Sequence, residues 1–392
     1  MKIAIDVTPI LPGGECGGVK QLVMELIRGF GERASLDTFV LMTSFYNDEI
    51  FREYEKYGIR RICIRKESPE RLPTLWGRVA NRARMKIKSY FGHGVLREND
   101  ISVLFCPMTA PTYHETGIPT VSIVCDLQHL YYPTFFSAAE LGHRNNFYSQ
   151  FKKRVDYVIS ISEYTKKSIV EKLSFPDGKV FSIPICVQSR LAIPSPELTA
   201  SVLGEFSLTG KKYCIYPANL WPHKNHKILF TAFNMFTKQY LNYDLHLVLT
   251  GAKIENNKII DDAVKQMDLG EKIHFMGYLA EDELSAIWHG SHFLIFPSLF
   301  EGFGIPLVEA MMYGKPILAS NVTSIPEVAG NAAIYFDPRK PDEIVDALRK
   351  LLENEEVYNN LVNNGQRQIR NFNFNDMVDQ YIAVLHRAGG HK

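Results

Sequence analysis

The chain has no Cys-x-x-Cys pair: its six cysteines (Cys16, Cys63, Cys106, Cys125, Cys186 and Cys214) are scattered, the closest two standing 19 positions apart. A zinc knuckle and the disulfide framework of a small secreted domain are both excluded, and reduced thiols are expected. No uninterrupted apolar run nears the ~18 residues that a membrane-spanning helix needs. The apolar run in Met1-Lys-Ile-Ala-Ile-Asp6 is too short for a signal-peptide core. A cytoplasmic protein, at most peripheral to the inner face of a membrane, is expected. A charge excess is missing as well. The 44 Lys and Arg against 43 Asp and Glu leave +1, so no bulk field draws the chain to nucleic acid. There is no Gly-x-Gly-x-x-Gly, so the dinucleotide fingerprint fails.

What is present is an alternation. At 46% apolar and 22% charged residues the composition is globular, and at ~150 residues per domain the length predicts two or three domains. Short apolar runs alternate with stretches of helical period, the pattern of a parallel sheet covered by helices on both faces. Strands are expected at 2–7, 38–44, 61–65, 102–106, 120–125, 157–162 and 180–185, with helices at 19–32, 48–57, 75–91, 139–154 and 163–173. Over 188–210 the pattern dissolves into a stretch bearing Pro and Ser. It restarts with strands at 213–216, 245–250, 273–276, 293–297, 316–319 and 334–336, and with helices that include 282–288 and 306–313. The tail, 342–354 and 356–387, reads as helix alone. The expected class is α/β: one doubly wound domain over 1–190, a second over 191–372, and a terminal helix at 373–388 returning to the first. Two such sheets set face to face leave a cleft at the carboxyl ends of their strands, where open α/β sheets bind ligands.

Three loops that follow strands carry unusual residues. The first runs Ser298-Leu-Phe-Glu301-Gly-Phe-Gly304-Ile-Pro-Leu-Val-Glu309-Ala-Met-Met-Tyr-Gly314. Pro306 suits a first helical position and Gly314 a helix end, while Gly302 and Gly304 let the backbone come close to a ligand. The N–H groups at that helix start form an anion site. Glu301 before the turn and Glu309, expected in the first helical turn, would repel a phosphate and are better suited to accept hydrogen bonds from hydroxyls. A nucleotide sugar, with a diphosphate between two polyols, fits this pattern. The same spacing also fits a glycine turn with one surface Glu and one Glu favoured by the helix dipole.

The second loop is Tyr216-Pro-Ala-Asn219-Leu-Trp-Pro-His223-Lys224-Asn225-His226. Here Lys224 is placed to neutralise charge on a departing diphosphate. His223 with His226, and His289 with His292, have the spacing of a metal pair, but each lacks a third ligand nearby. No Asp-x-Asp occurs anywhere, and chemistry without a metal or other cofactor is expected. The third loop, ending in Gly17-Gly18, leads from the first strand into a helix. It reads either as a backbone contact for phosphate or acceptor, or as a flexible connector.

At these residues the chain resembles the family-four glycosyltransferases (GT4), retaining enzymes of the GT-B fold. The resemblance runs over nearly the whole length and is strongest from Tyr213 to Pro338. Its most specific element is Glu-x-seven-Glu, met by Glu301 and Glu309. It implies that Glu301 contacts the donor sugar, Glu309 the ribose and Lys224 the diphosphate, with Asn219 and the Gly302, Phe303, Gly304 and Leu307 backbone around them. Gly17 and Gly18 match the family's N-terminal loop, and 120–129, with Cys125, Asp126 and His129, its acceptor-side loop. The implied reaction moves a hexose from GDP-mannose or a UDP-sugar to a glycan or lipid-linked glycan in polysaccharide biosynthesis.

Two positions depart from the family pattern. Asn219 stands where Arg is usual, leaving Lys224 alone, and Cys125 stands where His precedes the Asp. A thiol lacks the charge and donor strength of an imidazole, so Asp126 or His129 is the candidate replacement. Two alternatives keep the fold: a catalytically silent nucleotide-sugar-binding partner subunit, and a nucleotide-sugar epimerase. In 75–91, Trp76, Val79, Ala83, Ile87 and Tyr90 share one helical face, with Arg78, Arg82, Arg84, Lys86 and Lys88 elsewhere. That suits contact with an anionic membrane, holding of a lipid-diphosphate acceptor, or a packed helix with a solvated basic side.

Overall fold

The computed structural model describes residues 1–11, 18–33, 37–65, 94–187, 190–251 and 258–390. Gly17 and the basic stretch 75–91 lie outside them. The chain divides into two units, Met1–Ile185 with Phe374–Lys392, and Cys186–Asn373.

In the first unit β1 (Lys2–Asp6), β2 (Thr38–Ser44), β3 (Arg60–Arg65), β4 (Val103–Cys106), β5 (Thr120–Val124), β6 (Tyr157–Ser160) and β7 (Val180–Ser182) form one parallel sheet. The strand order is β3-β2-β1-β4-β5-β6-β7. Its helices are α1 (Gly18–Glu32), α2 (Val95–Glu98), α3 (Gln128–Tyr131), α4 (Ala138–Phe151) and α5 (Glu163–Leu173). The strands read as continuous apolar runs because both faces are covered, as with Ile3, Ala4 and Ile5 of β1. Leu22, Leu26 and Phe30 recur at i+4 along α1 and bury that stripe. Residues 48–57, expected as a helix, hold only a 3₁₀ segment, Arg52–Tyr57, closed by Gly58 at φ 76°. Tyr54 is its single buried side chain, too little of an apolar stripe to hold an α-helix.

The second unit contains β8 (Lys212–Pro217), β9 (Leu245–Thr250), β10 (Ile273–Phe275), β11 (Phe293–Phe296), β12 (Ile317–Ser320) and β13 (Ala333–Phe336), all parallel, in the order β10-β9-β8-β11-β12-β13. Around them lie α6 (Pro196–Glu205), α7 (His226–Gln239), α8 (Lys258–Gln266), α9 (Glu281–Gly290), α10 (Ile305–Met312), α11 (Ile325–Ala329), α12 (Pro341–Glu353) and α13 (Glu355–Gln368). Helix α6 falls where the sequence pattern dissolves. Ser195 caps it by accepting from Leu198 N at 3.2 Å, with Pro196 in the first turn.

The helical tail breaks at Ile369–Asn371, and α14 (Phe374–Ala388) belongs to the first unit. There Tyr381 sets its ring edge-on to Phe105 at 6.1 Å. A Cβ on Gly29 would lie 2.4 Å from Val378 Cγ2, so α1 and α14 approach this closely only because residue 29 has no side chain.

In both sheets the order reverses at the centre, between β1 and β4 and between β8 and β11. These are the switch points of a doubly wound fold, and the loops leaving the carboxyl ends of strands there splay apart and make a binding crevice.

Candidate functional site

The second unit's switch point gathers the two most distinctive loops of the sequence. Lys224 follows β8, Glu301 follows β11, and Lys224 Nζ donates to Glu301 Oε1 at 2.6 Å. Their side chains are 15% and 10% exposed, so the pair is largely removed from water yet reachable. Local bonds hold it in place. Tyr216, fully buried in β8, donates its hydroxyl to Lys224 O at 2.8 Å and lies 2.9 Å from Ser298 Oγ. Asn225 sits in the left-handed region at φ 62° and donates its amide to Pro297 O at 3.0 Å and to Pro338 O at 2.7 Å. Beyond β12, Thr323 Oγ1 accepts from Glu301 N at 3.2 Å, and Ser324 Oγ donates to Glu301 O at 3.0 Å and to Phe303 O at 3.2 Å.

Gly304 caps α10 with φ 99°. A Cβ there would meet Leu307 Cδ1 at 2.9 Å, so both the space and the backbone require glycine. Ile305 opens the helix and Pro306 follows it, which places Glu309 in the second turn rather than the first. Pro306 has no N–H, and Leu307 N is spent on Gly304 O at 3.0 Å. The Leu307 side chain is wholly buried. An anion at this end can therefore be met by the amides from Phe303 to Ile305, not by that of Leu307. Phe303 supplies backbone only, because its ring is buried edge-on to Phe372 at 5.9 Å.

Glu309 is 3% exposed and held from both oxygens. Arg190 Nη2 donates to Oε1 at 2.9 Å and Trp288 Nε1 to Oε2 at 3.2 Å. Burial lifts its carboxyl above the ordinary value, against the lowering pull of Arg190 and Trp288. Neither partner stood out in the sequence. Arg190 lies in the Pro- and Ser-bearing stretch, 119 positions from Glu309, and Trp288 reads as a core residue of a helix.

Asn219 precedes Lys224 in the same loop, and its Oδ1 would lie 2.9 Å from a Cβ on Gly251, a residue at φ 117°. His223 is pushed down to about 4 and His226 to about 3, by burial first and then by the Lys224 charge. Both are neutral near pH 7, and the His226 ring lies tilted against Tyr216 with centroids 5.1 Å apart. Among the described residues no three His, Cys, Asp or Glu side chains gather as a cation site.

In the first unit Gly18 opens α1. Asp126 Oδ1 accepts from Gln128 N at 3.0 Å. Burial and then the Asp126 charge push the Cys125 thiol up to about 12, so it stays protonated. His129 is buried, its ring stacked on Tyr148 at 5.2 Å, and neither ring nitrogen makes a hydrogen bond among the described residues. Burial, then Arg144, lowers it to about 4.

Two parallel Rossmann-like sheets with a cation–carboxylate pair at a switch point define a class, the GT-B fold. Solved structures share it over essentially the whole chain. The Anabaena protein Alr3699/HepE, in complex with UDP and glucose, matches with a TM-score of 0.73 at 16% identity, covering 99% of this chain and 100% of that one. Sucrose-phosphate synthase from Thermosynechococcus elongatus matches at 0.75 and 17%, covering 99% and 98%. Within that fold, residues 205–368 match the family described as Glycosyl transferases group 1. Among curated relatives, O-antigen chain mannosyltransferase B of Escherichia coli is 25% identical over 226 residues, 57% of this chain and 59% of the relative. The MMP alpha-(1->4)-mannosyltransferase of Mycolicibacterium hassiacum is 32% identical over 149 residues, 37% of this chain and 36% of the relative. The chain thus spans only part of the length of the curated relatives it matches.

Proposed function

We propose that the protein is a retaining, metal-independent glycosyltransferase that moves a hexose from a nucleotide diphosphate sugar to a glycan or lipid-linked glycan acceptor in polysaccharide biosynthesis. The observation that carries this reading is the Lys224–Glu301 pair at the β8/β11 switch point, beside the amino end of α10. A free ammonium and a carboxylate neutralise one another until a ligand separates them. A donor does so in a matched way, its diphosphate taking Lys224 and the Phe303–Ile305 amides, its sugar hydroxyls taking Glu301, and its ribose lying toward Glu309. The mannosyltransferase relatives support mannose as the transferred hexose.

In the transfer, the bond from the anomeric carbon to the diphosphate oxygen breaks while a bond to the acceptor oxygen forms on the same face. The acceptor's proton passes to the departing phosphate oxygen, and Lys224 stabilises the charge that develops there. This route needs no imidazole at position 125, where the thiol is protonated. Cys125 and Asn219 favour the second reading, a silent nucleotide-sugar binder.

Incubating the purified protein with GDP-mannose and UDP-glucose, with and without lipid-linked glycan acceptors, tests both. Glycosylated product with the anomeric configuration of the donor is expected. Nucleotide binding without any turnover would leave the silent binder standing, and an isomerised sugar without acceptor would indicate an epimerase.

A further inference from the structure

We propose that Arg190 is the positioning residue of the donor site: with the Trp288 indole it holds the Glu309 carboxylate from both oxygens, so that the remaining lone pairs accept the vicinal diol of the donor's ribose. This rests on the reading of Glu309 as the ribose-facing carboxylate.

The clamp is itself braced. Arg190 Nε lies 3.6 Å from Glu281 Oε1. Trp288 stacks on Tyr313 at 6.1 Å and 7°, and the Tyr313 hydroxyl donates to Ala192 O at 3.1 Å. Thus α9, α10 and the segment after residue 189 fix one carboxylate. A carboxylate offers about four acceptor directions, and the protein spends one on each oxygen. Two directions are left, the number a cis-diol uses.

A purely structural role fits these observations poorly, because a buried ion pair seldom outperforms apolar packing of the same volume. Arg190 Nη1 is also buried without a hydrogen bond among the described residues, which a stabilising contact would not leave.

The test compares binding of GDP and of UDP with binding of their 2′,3′-dideoxy forms by isothermal titration calorimetry. In the wild type the dideoxy form is expected to bind about 10- to 100-fold more weakly, as for loss of hydrogen bonds to a charged acceptor. Arg190→Gln is expected to shrink that ratio to about threefold or less while leaving dideoxy affinity within about twofold; Arg190→Lys, which keeps the cation but loses the planar fork, should recover part of the ratio. Should Arg190→Gln not fold, Arg190→Gln combined with Glu309→Gln removes both charges. Its ratio should equal that of Glu309→Gln alone, since Arg190 acts through Glu309.

A wild-type ratio retained in Arg190→Gln, or a double variant with a lower ratio than Glu309→Gln alone, overturns the inference and leaves the ribose reading intact. A ratio near one in the wild type, or no binding of either nucleotide, overturns the ribose reading and the inference with it.

Discussion

Lys224 and Glu301 occupy each other in the free protein, so the value of either to a ligand is read by removing one. Lys224→Ala deletes the charge proposed to meet the departing diphosphate. It is expected to lower kcat about 10²- to 10³-fold, the scale for losing one preorganised stabilising group, with a smaller rise in donor KM. Steady-state rates at saturating donor measure it, and an unchanged kcat would place the diphosphate elsewhere. In the proposed donor site, Glu309 is expected to carry the pH dependence of binding. Its carboxyl holds its proton above the ordinary carboxylate value because it is buried. As pH falls toward that value it becomes a neutral acid and loses an acceptor. Nucleotide affinity should therefore weaken with acid in the wild type and stay flat in Glu309→Gln.

His226 adds a stability signature. Its folded pKa, about 3, lies below the ordinary histidine value of 6.5, because burial disfavours the charge. The unfolded chain thus binds the proton more readily. The contribution to stability is complete above pH 6.5 and is lost as pH falls toward 3. Thermal melts from pH 7 to 4 should show Tm dropping more steeply in the wild type than in His226→Gln; parallel curves would contradict the burial of that imidazole.

At the scale of elements, α10 depends on its glycine cap. Gly304→Ala asks an L-residue to hold φ 99° and to place a methyl 2.9 Å from Leu307 Cδ1. A loss of about 1–3 kcal/mol in stability is expected, together with a raised donor KM as the amides from 303 to 305 turn away. Chemical denaturation with donor kinetics checks both. Ser195→Ala is the control. It removes the cap of α6 and should cost about 1 kcal/mol without touching donor kinetics.

The two helices also differ in how legible they are in the sequence. Pro306 and Gly314 announce α10, whereas the Ser195-Pro196-Glu197 start of α6 is the same kind of signal hidden in a stretch that reads as linker. The strands are legible nearly to the residue, with 38–44 and 245–250 matching β2 and β9, because burial on both faces leaves an unbroken apolar run. The segment 48–57 misleads in the opposite direction, since its buried face there is only Phe51 and Tyr54, too short a stripe to hold an α-helix.

For the molecule as a whole, the sequence pattern is enough to show two doubly wound domains and to put Lys224 and Glu301 on loops that follow strands; the strand order that brings them to one switch point comes from the structure. It cannot show the Arg190–Glu309–Trp288 cluster. Three positions spread over 119 residues meet only through the fold, and neither donor has a local motif. His129 makes the same point in reverse. A polar residue in a loop that resembles an acceptor site proves to be stacked and buried, because aromatic packing by Tyr148 outweighs solvation in a way that no spacing reveals.

The central claim, that a diphosphate binds beside Lys224 at the amino end of α10, is tested most directly by a crystal structure of the protein with GDP or UDP. The account predicts the diphosphate within hydrogen-bond reach of Lys224 Nζ and of the amides between Phe303 and Ile305, with the 2.6 Å bond to Glu301 exchanged for it. A nucleotide bound away from this loop, with the Lys224–Glu301 bond unbroken, would contradict it.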